Sequence, residues 1–251
     1  MKKVIAGLCI ALLAACSQQE SEPVLKIGVD VPYEPFEFKA PDGSLTGFEI
    51  DLGNAVCAEM AIKCEWVVQG WDGIIPGLLA FKYDMVMSSM SINDERREKV
   101  LFSNAYYNTP SAWFAKAGAD LDVASPAAMA GKKVGVQRGT VQDEYATKNL
   151  PDTEILRYAT ADELVIDLYG ERLDAVLLDF PVGESTILNG DKGSEYGLAG
   201  SMLQIGEGVG AAVRKDDTEL KAKLDAAFDT VKSNGVYDQI RQKYFAYDIK
   251  V

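Results

Sequence analysis

The chain has 251 residues, with 25 Lys and Arg against 38 Asp and Glu and a formal charge of −13 at pH 7. This length suffices for one large domain or two smaller ones, and the acidic balance argues against nucleic acid and anionic lipid headgroups as partners. The sequence contains no His, which excludes His-based catalysis and His metal sites. We predict neither a metal nor a cofactor.

The first 23 residues lie outside the predicted fold. Lys2 and Lys3 precede an apolar run over residues 4–13, which is too short to span a bilayer, and we interpret residues 1–15 as a signal peptide. Residues 13–16 read LAAC and resemble a bacterial lipobox. In such a signal Cys16 becomes the lipid-bearing, palmitoylated first residue, and residues 16–23 form a polar tether. Ordinary secretion, with Cys16 merely nearby, is the alternative.

Export also bears on the remaining cysteines. Cys9 leaves with the signal peptide, so that Cys57 and Cys64 remain in the exported protein. An oxidising compartment favours a disulfide between them, which would stabilise the fold by roughly 2–3 kcal/mol in the chain-entropy model. Two buried free thiols are the alternative.

Strand and helix patterns alternate along the chain, which is typical of a mainly parallel α/β fold. Buried strands are predicted at residues 26–29, 64–68, 85–87, 112–115, 133–136 and 174–178. Helices are predicted at residues 52–60, 71–79, 139–145, 160–170 and 216–234, with a last helix around residues 237–244. A short helix is expected within residues 120–131, a loop-rich segment over residues 189–200, and a glycine-rich, then strand-like segment over residues 206–213.

Polar residues mark several predicted helix starts. Asp72 is positioned to cap the helix that follows it. Thr160 with Glu163, and Asp216 with Glu219, have the spacing of a capping box.

A faint internal repeat suggests two lobes built on one plan. KIGVD at Lys26 matches KVGVQ at Lys133, and KYDMVMSS at Lys82 matches RLDAVLLD at Arg172. Each pair is a first strand followed later by a helix and a second strand. Generic α/β patterning is the alternative.

The repeat places polar residues at equivalent strand ends. Open α/β sheets bind small ligands beyond the carboxyl ends of their strands, so two facing lobes would line a shared cleft. An Arg suits a carboxylate because it can hold one bidentately, acids suit cationic groups, and free N–H groups at a helix start can also face a carboxylate. This set fits an amino acid, and the alternative is a Ser-rich loop with solvated charges. The expected cleft residues are Asp30, Tyr33, Trp71, Ser88, Ser89, Ser91, Arg96, Gln137, Thr140 and Asp179.

Several motifs together resemble one protein family. They are D-x-x-Y-x-P-F at Asp30, G-F-E-I-D-L at Gly47, C-x6-C at Cys57, S-S-M-S-I-x-x-E-R at Ser88, V-G-V-Q-R-G-T at Val134 and R-L-D-A-V-L-L-D at Arg172. On these motifs the chain resembles the type II periplasmic binding proteins of ABC amino-acid importers. It is most similar to the lysine/arginine/ornithine- and histidine-binding group, in which a disulfide at Cys57 and Cys64 is also a feature.

The resemblance implies two α/β lobes with mostly parallel sheets, flanked by helices and joined by a two-stranded hinge. Lobe 1 would comprise residues 24–108 and 210–251, lobe 2 residues 113–205, and the hinge residues 109–112 and 206–209. It further implies a monomer on the periplasmic face of a bacterial membrane, held by its lipid anchor alone. The monomer would deliver a polar amino acid of the basic type (arginine, lysine, ornithine or histidine) to an ABC permease in the inner membrane; exposure at the cell surface is an alternative.

Family roles carry over by position. Arg96 would clamp the α-carboxylate, helped by Ser89 and by the turn at Thr140 and Val141, and Asp179 would take the α-ammonium. The other roles fall to residues around the ligand side chain: Asp30 at its distal end, Ser88 and Ser91 nearby, Tyr33 and Trp71 stacking on it, and Gln137 in place of an apolar residue common in some members. We interpret Glu34 and Glu37 as solvated.

Other functions remain open at this point. Glutamine or cystine could replace the basic amino acid as the ligand. An enzyme on the same fold, a dehydratase or lyase, would need an acid or base with a raised pKa, for which Asp30, Glu34 and Asp179 are the candidates. A surface adhesion role for the lipoprotein is a third possibility.

Overall fold

The computed structural model describes residues 24–251 and contains two five-stranded sheets and one short hairpin. The predicted signal peptide, the lipid-bearing Cys16 and the tether lie outside the described residues. Within residues 24–251, the helices are too short or too polar to cross a membrane.

The elements follow the predicted alternation. The strands are β1 (Val24–Val29), β2 (Phe38–Lys39), β3 (Leu45–Thr46), β4 (Lys63–Val68), β5 (Met85–Val86), β6 (Val100–Phe102), β7 (Ser111–Lys116), β8 (Lys133–Gln137), β9 (Glu154–Tyr158), β10 (Ala175–Asp179), β11 (Tyr196–Leu198) and β12 (Ala212–Arg214). The α-helices are α1 (Phe48–Glu59), α2 (Ile74–Leu79), α3 (Asp94–Arg97), α4 (Val141–Asn149), α5 (Ala161–Tyr169), α6 (Phe180–Gly183), α7 (Thr218–Ser233) and α8 (Val236–Tyr244).

The two large sheets share one topology. Their strand orders are β4-β1-β5-β12-β6 and β9-β8-β10-β7-β11. In each, the first three strands are parallel and the fourth runs antiparallel to both neighbours. The matching sequence motifs therefore occupy equivalent strands, β1 with β8 and β5 with β10.

The chain crosses twice between the sheets. Antiparallel bridges join Tyr107 to Val209 and Ser111 to Leu203, so the two crossing segments run side by side. The predicted fold class, two α/β lobes joined by a two-stranded connection, is confirmed. The residue bounds of the lobes and hinge stay a prediction.

A disulfide joins Cys57, near the end of α1, to Cys64 in β4, with the two Cα atoms 6.0 Å apart. The predicted pairing is confirmed. It ties helix α1 to β4, an edge strand of the first sheet.

Two of the predicted caps are wrong. A 3₁₀ turn over Trp71–Gly73 precedes α2, whose N-cap is Gly73, and the Asp72 carboxylate accepts a hydrogen bond from Arg138 at 2.9 Å instead. Helix α7 starts after Asp217 rather than Asp216, and no side chain caps it; the Asp217 carboxylate pairs with Arg214 at 2.7 Å.

The Thr160 cap is confirmed: its hydroxyl accepts from the Glu163 N–H at 3.3 Å. The Glu163 carboxylate reaches back one residue further than a capping box requires, to the Ala159 N–H at 3.0 Å.

Two connections also differ from the prediction. Residues 120–131 form successive turns and no helix. Residues 189–200 are rich in loop as predicted, but they also contain an unpredicted strand, β11 (Tyr196–Leu198), which pairs with β7 at the edge of the second sheet. So short a strand is specified by its partner rather than by its own pattern.

Candidate ligand-binding site

A cavity lined by residues of both lobes lies where strand ends of the two sheets face each other. All eleven sequence-predicted site residues line it, and so do Glu37 and Gln142, which were not predicted as ligand residues. The lining residues are Asp30, Tyr33, Glu37, Trp71, Ser88, Ser89, Ser91, Arg96, Gln137, Thr140, Val141, Gln142 and Asp179. Their contacts with a ligand stay a prediction.

The topology explains why these residues meet. Asp30 directly follows β1, and Ser88 comes shortly after β5, its parallel neighbour. Gln137 and Asp179 are the last residues of β8 and β10, which are likewise parallel neighbours. The carboxyl ends of parallel strands share one sheet edge, so each sheet presents two polar side chains to the cleft.

Arg96 is held in the cavity wall by short helix α3. The Asn93 side chain accepts from the Arg96 N–H at 2.9 Å and caps this helix. The guanidinium donates to the Ser91 carbonyl at 2.7 Å and to the Gly139 carbonyl of the opposite lobe at 3.1 Å, and lies 5.2 Å from the centre of the Trp71 ring. Arg has five N–H donors, which leaves three beyond these two bonds for a ligand carboxylate.

Burial lowers the pKa of Arg96 from its ordinary value, and the acidic groups Glu144, Glu95 and Asp179 act in the opposite direction. Because a guanidinium starts from a very high pKa, it stays charged at neutral pH. The side chain is only 6% exposed, so water screens its charge poorly.

Asp179 lies on the opposite lobe from Arg96 and lines the same cavity. Its carboxylate accepts from the Tyr33 hydroxyl at 2.6 Å and from the Gln142 amide at 3.1 Å. Burial raises its pKa to about 6, while the hydrogen bond from Tyr33 and the charge of Arg96 oppose that rise. Arg96 and Asp179 each shift the pKa of the other toward its charged form, and both side chains line the same cavity.

Asp30 is the second carboxyl group of the cavity floor. Its carboxylate accepts from the Gln137 amide across the cleft at 2.9 Å, and its backbone N–H donates to the Ser88 hydroxyl at 2.9 Å. Burial raises its pKa to about 6, and the bond from Gln137 opposes this rise. Both acids are therefore largely ionised at pH 7.

A tight turn completes the wall on the second lobe. Gly139 has φ +69°, which glycine adopts without steric cost, and its carbonyl accepts from Trp71 Nε1 at 3.1 Å as well as from Arg96. Thr140 then caps α4 by accepting from the Asp143 N–H at 3.2 Å. The first N–H groups of a helix have no partner within it, and Val141 and Gln142, the first two residues of α4, line this cavity.

The interpretation of Glu37 as solvated is wrong, whereas Glu34 is exposed as expected. Glu37 is 1% exposed, and its two carboxyl oxygens accept from the hydroxyls of Ser88 at 2.9 Å and Ser89 at 3.2 Å. Burial, the nearby Glu49 and, to a lesser extent, Asp30 raise its pKa well above the ordinary range. It was missed because these partners are distant in sequence.

The chemistry of the cavity is that of charge recognition. Three carboxyl groups and one guanidinium line it, together with hydroxyls, amides and aromatic rings. Among the described residues no cluster of His, Cys, Asp and Glu side chains has a metal-binding arrangement.

Comparison with known proteins agrees with this architecture. The bacterial extracellular solute-binding proteins, family 3, match residues 25–247. The L-arginine-binding protein of Pseudomonas aeruginosa is 44% identical, over 99% of this chain and 98% of its own. The lysine/arginine/ornithine-binding periplasmic protein of Escherichia coli is 36% identical, over 99% of both chains.

A solved structure shows the same fold. A Salmonella typhimurium periplasmic binding protein, described for its high arginine specificity, superposes with a TM-score of 0.83 at 31% identity, covering 89% of this chain and 100% of its own. The resemblance noted from the motifs is confirmed. This chain belongs to the bacterial extracellular solute-binding proteins, family 3.

Proposed function

We propose that this protein captures a basic amino acid (arginine, lysine, ornithine or histidine) in the interlobe cavity and delivers it to an ABC permease. The observation that carries the proposal is the placement of Arg96 and Asp179 on opposite lobes, lining one cavity with acids in excess. Arg96 would hold the α-carboxylate bidentately, with the N–H groups at Val141 and Gln142 beside it. Asp179 would hold the α-ammonium, and Asp30 the distal cation.

The charge balance of the cavity favours a cationic side chain. Two ionised acids, Asp30 and Asp179, face one base, Arg96, and Glu37, whose pKa is raised by burial, adds a third acidic side chain. A neutral amino acid such as glutamine brings one positive and one negative charge and leaves the excess acid unmatched. A basic amino acid adds a second positive charge next to a buried carboxylate, where water screens the attraction little.

Binding would couple to closure of the lobes. We take residues 24–108 with 210–251 as lobe 1, residues 113–205 as lobe 2, and residues 109–112 and 206–209 as the hinge. The bonds that cross the cleft, such as Tyr33 to Asp179 and Asp30 to Gln137, can form only when the lobes are closed. A ligand that bridges both lobes would shift the equilibrium toward that state.

Export and anchoring complete the proposal. Residues 1–15 would be removed, and Cys16 would carry the lipid that holds a monomer on the periplasmic face of the membrane. Replacing Cys16 with Ser should release the protein from the membrane fraction and abolish palmitate labelling. Continued labelling of that variant would contradict lipidation at Cys16.

We propose binding without catalysis. The two acids with a pKa near 6, Asp30 and Asp179, are each engaged by side-chain donors. An arginine recovered unchanged after prolonged incubation, by mass spectrometry, is the expected result. A converted product would support the enzymatic alternative.

The direct test is calorimetry of the purified protein with arginine, lysine, ornithine, histidine, glutamine and cystine. We expect at least one basic amino acid to bind more tightly than glutamine and cystine. Tightest binding of glutamine or cystine would overturn the ligand class, and no binding of any amino acid would overturn the function.

A further inference from the structure

Two donors of the first lobe converge on a single carbonyl of the second lobe. Trp71 Nε1 and the Arg96 guanidinium each donate to the Gly139 carbonyl, both at 3.1 Å. A carbonyl oxygen has two lone pairs, so these two bonds use its full capacity as an acceptor. Both bonds depend on angle as well as distance, and the orientation of the Gly139 carbonyl therefore governs this junction between the lobes.

The turn itself does not fix that orientation. Gly139 has φ +69°, and a glycine has many backbone conformations available at little steric cost. The orientation of its carbonyl must therefore be set by bonds that the rest of the second lobe makes to the turn.

Asp143 on α4 supplies such bonds. Its carboxylate accepts from the Gly139 N–H at 3.0 Å, and its own N–H donates to the Thr140 hydroxyl at 3.2 Å. The Thr140 hydroxyl in turn donates at 2.8 Å to the carbonyl of Gln137, the last residue of β8. Three hydrogen bonds thus hold the turn between the end of β8 and the first turn of α4.

The Asp143 carboxylate is itself held in place. Arg157 of β9 donates through Nε to its two oxygens, at 2.9 and 3.1 Å, and the Thr147 hydroxyl donates to it at 3.2 Å. Asp143 is 8% exposed, and it is not one of the residues that line the cavity. Since β9 pairs with β8 along its whole length, the support for the turn reaches back into the second sheet.

We propose that Asp143, held by Arg157, is a positioning residue for closure of the lobes on the ligand. The inference rests on the proposed function, because it concerns the closed state of the same cavity. Asp143 does not touch the ligand; it orients the Gly139 carbonyl so that Trp71 and Arg96 engage it on closure. These bonds exist only in the closed state, so losing Asp143 should accelerate ligand dissociation more than it slows association.

A double-mutant cycle on arginine binding tests the route through Gly139, because residues that share a partner give non-additive effects. Asp143→Ala should weaken arginine binding at least ~3-fold, mainly through faster dissociation in stopped-flow measurements. Trp71→Phe removes one of the two donors to Gly139. In that background the loss caused by Asp143→Ala should be at least ~2-fold smaller. Additive losses would overturn the inference.

Asp167→Ala is the matched control. Asp167 lies in α5 of the same lobe, outside the cavity lining, and its carboxylate accepts from Arg172 at 2.7 Å and from the Tyr158 hydroxyl at 2.8 Å. This variant should leave the rate of arginine dissociation unchanged, alone or combined with Trp71→Phe. Coupling of the same size in this control would overturn the inference, because loss of any ion pair of this lobe would then act on closure.

A milder variant keeps the inference testable if Asp143→Ala does not fold. Arg157→Gln retains the Asp143 carboxylate but removes the cation that holds it, and it should raise the arginine dissociation rate at least ~2-fold. An unchanged rate in a folded Arg157→Gln variant would overturn the inference. Failure of the proposed function is distinguishable, since the unmodified protein would then not bind arginine.

Discussion

The Arg96 guanidinium of one lobe donates to the Gly139 carbonyl of the other at 3.1 Å. The group proposed to hold the ligand carboxylate thus also fastens the two lobes together. Trp71 donates to the same carbonyl and lies beside Arg96, so ligand binding and closure share one set of contacts. Loss of this guanidinium should affect both.

The first prediction concerns Arg96→Ala, which should weaken amino-acid binding at least ~30-fold, since truncating one partner of a buried charge pair costs about 2–5 kcal/mol. Calorimetry measures the loss. The control is Arg97→Ala, because Arg97 is adjacent but exposed and pairs with Glu207 at 2.6 Å away from the cavity. Unchanged affinity in a folded Arg96→Ala variant would contradict the site.

Asp30→Asn should discriminate between ligands. The amide keeps the size of the side chain but removes the charge that would face a distal cation, so arginine and lysine should lose about tenfold or more and glutamine much less. Calorimetric titration of one preparation of the variant with all three ligands compares their losses of affinity directly. Equal losses would place Asp30 away from the distal end of the ligand.

Binding should depend on pH through Asp30 and Asp179. Both have a pKa raised to about 6 by burial, and each must be ionised to hold a cationic group. Arginine affinity should therefore fall as the pH drops from 7 to 5, by up to about tenfold for each acid. In Asp30→Asn the fall should be shallower, and an unchanged slope would show that Asp30 does not titrate with binding.

Much of the site can be predicted from the sequence because its polar residues stand at the carboxyl ends of strands. Asp30, Ser88, Gln137 and Asp179 stand at ends of predicted buried strands, and parallel strands bring those ends to one edge. The internal repeat then places two such edges face to face. The strand ends can be identified from local sequence patterns, and the facing arrangement from the similarity of two segments, so one sequence is enough to predict both.

The errors arise where long-range contacts override a local pattern. Glu37 follows a turn that contains Pro and aromatic residues, and this local pattern is typical of a solvated residue. In the fold it is buried, and the hydroxyls of Ser88 and Ser89, some fifty positions away, donate hydrogen bonds to its carboxyl group. Asp72 precedes a helical pattern and resembles a cap, but Arg138 of the opposite lobe engages it. Neither partner can be identified before the chain is folded.

The Asp72–Arg138 ion pair joins the two lobes, so it should contribute to ligand binding by favouring the closed state. Its two side chains are about half exposed, and such pairs contribute roughly 0–1 kcal/mol, less at high salt. Asp72→Asn should therefore weaken ligand binding by less than about fivefold at low salt. The difference from the unmodified protein should vanish in about 1 M NaCl, because the Debye length there is ~3 Å; a larger, salt-independent loss would assign Asp72 to the ligand itself.

The last prediction concerns stability and Glu49. Its carboxyl accepts from the Tyr106 hydroxyl at 2.9 Å and from the Ser89 N–H at 3.1 Å, and burial raises its pKa to about 7. An unfolded Glu has a pKa near ~4.3. Because the folded value is the higher one, the stabilisation is fully present below about pH 4 and is lost as the pH rises through 7.

In Glu49→Gln, denaturant unfolding should therefore show a smaller decrease in stability between pH 5 and pH 8 than in the unmodified protein, with a difference on the order of 2–3 kcal/mol. Glu59→Gln, an exposed acid on the same helix, should leave the pH dependence unchanged. If Glu49→Gln retains the full slope, the buried acid responsible is Glu37 rather than Glu49, because it is the other strongly shifted carboxyl group of this cluster.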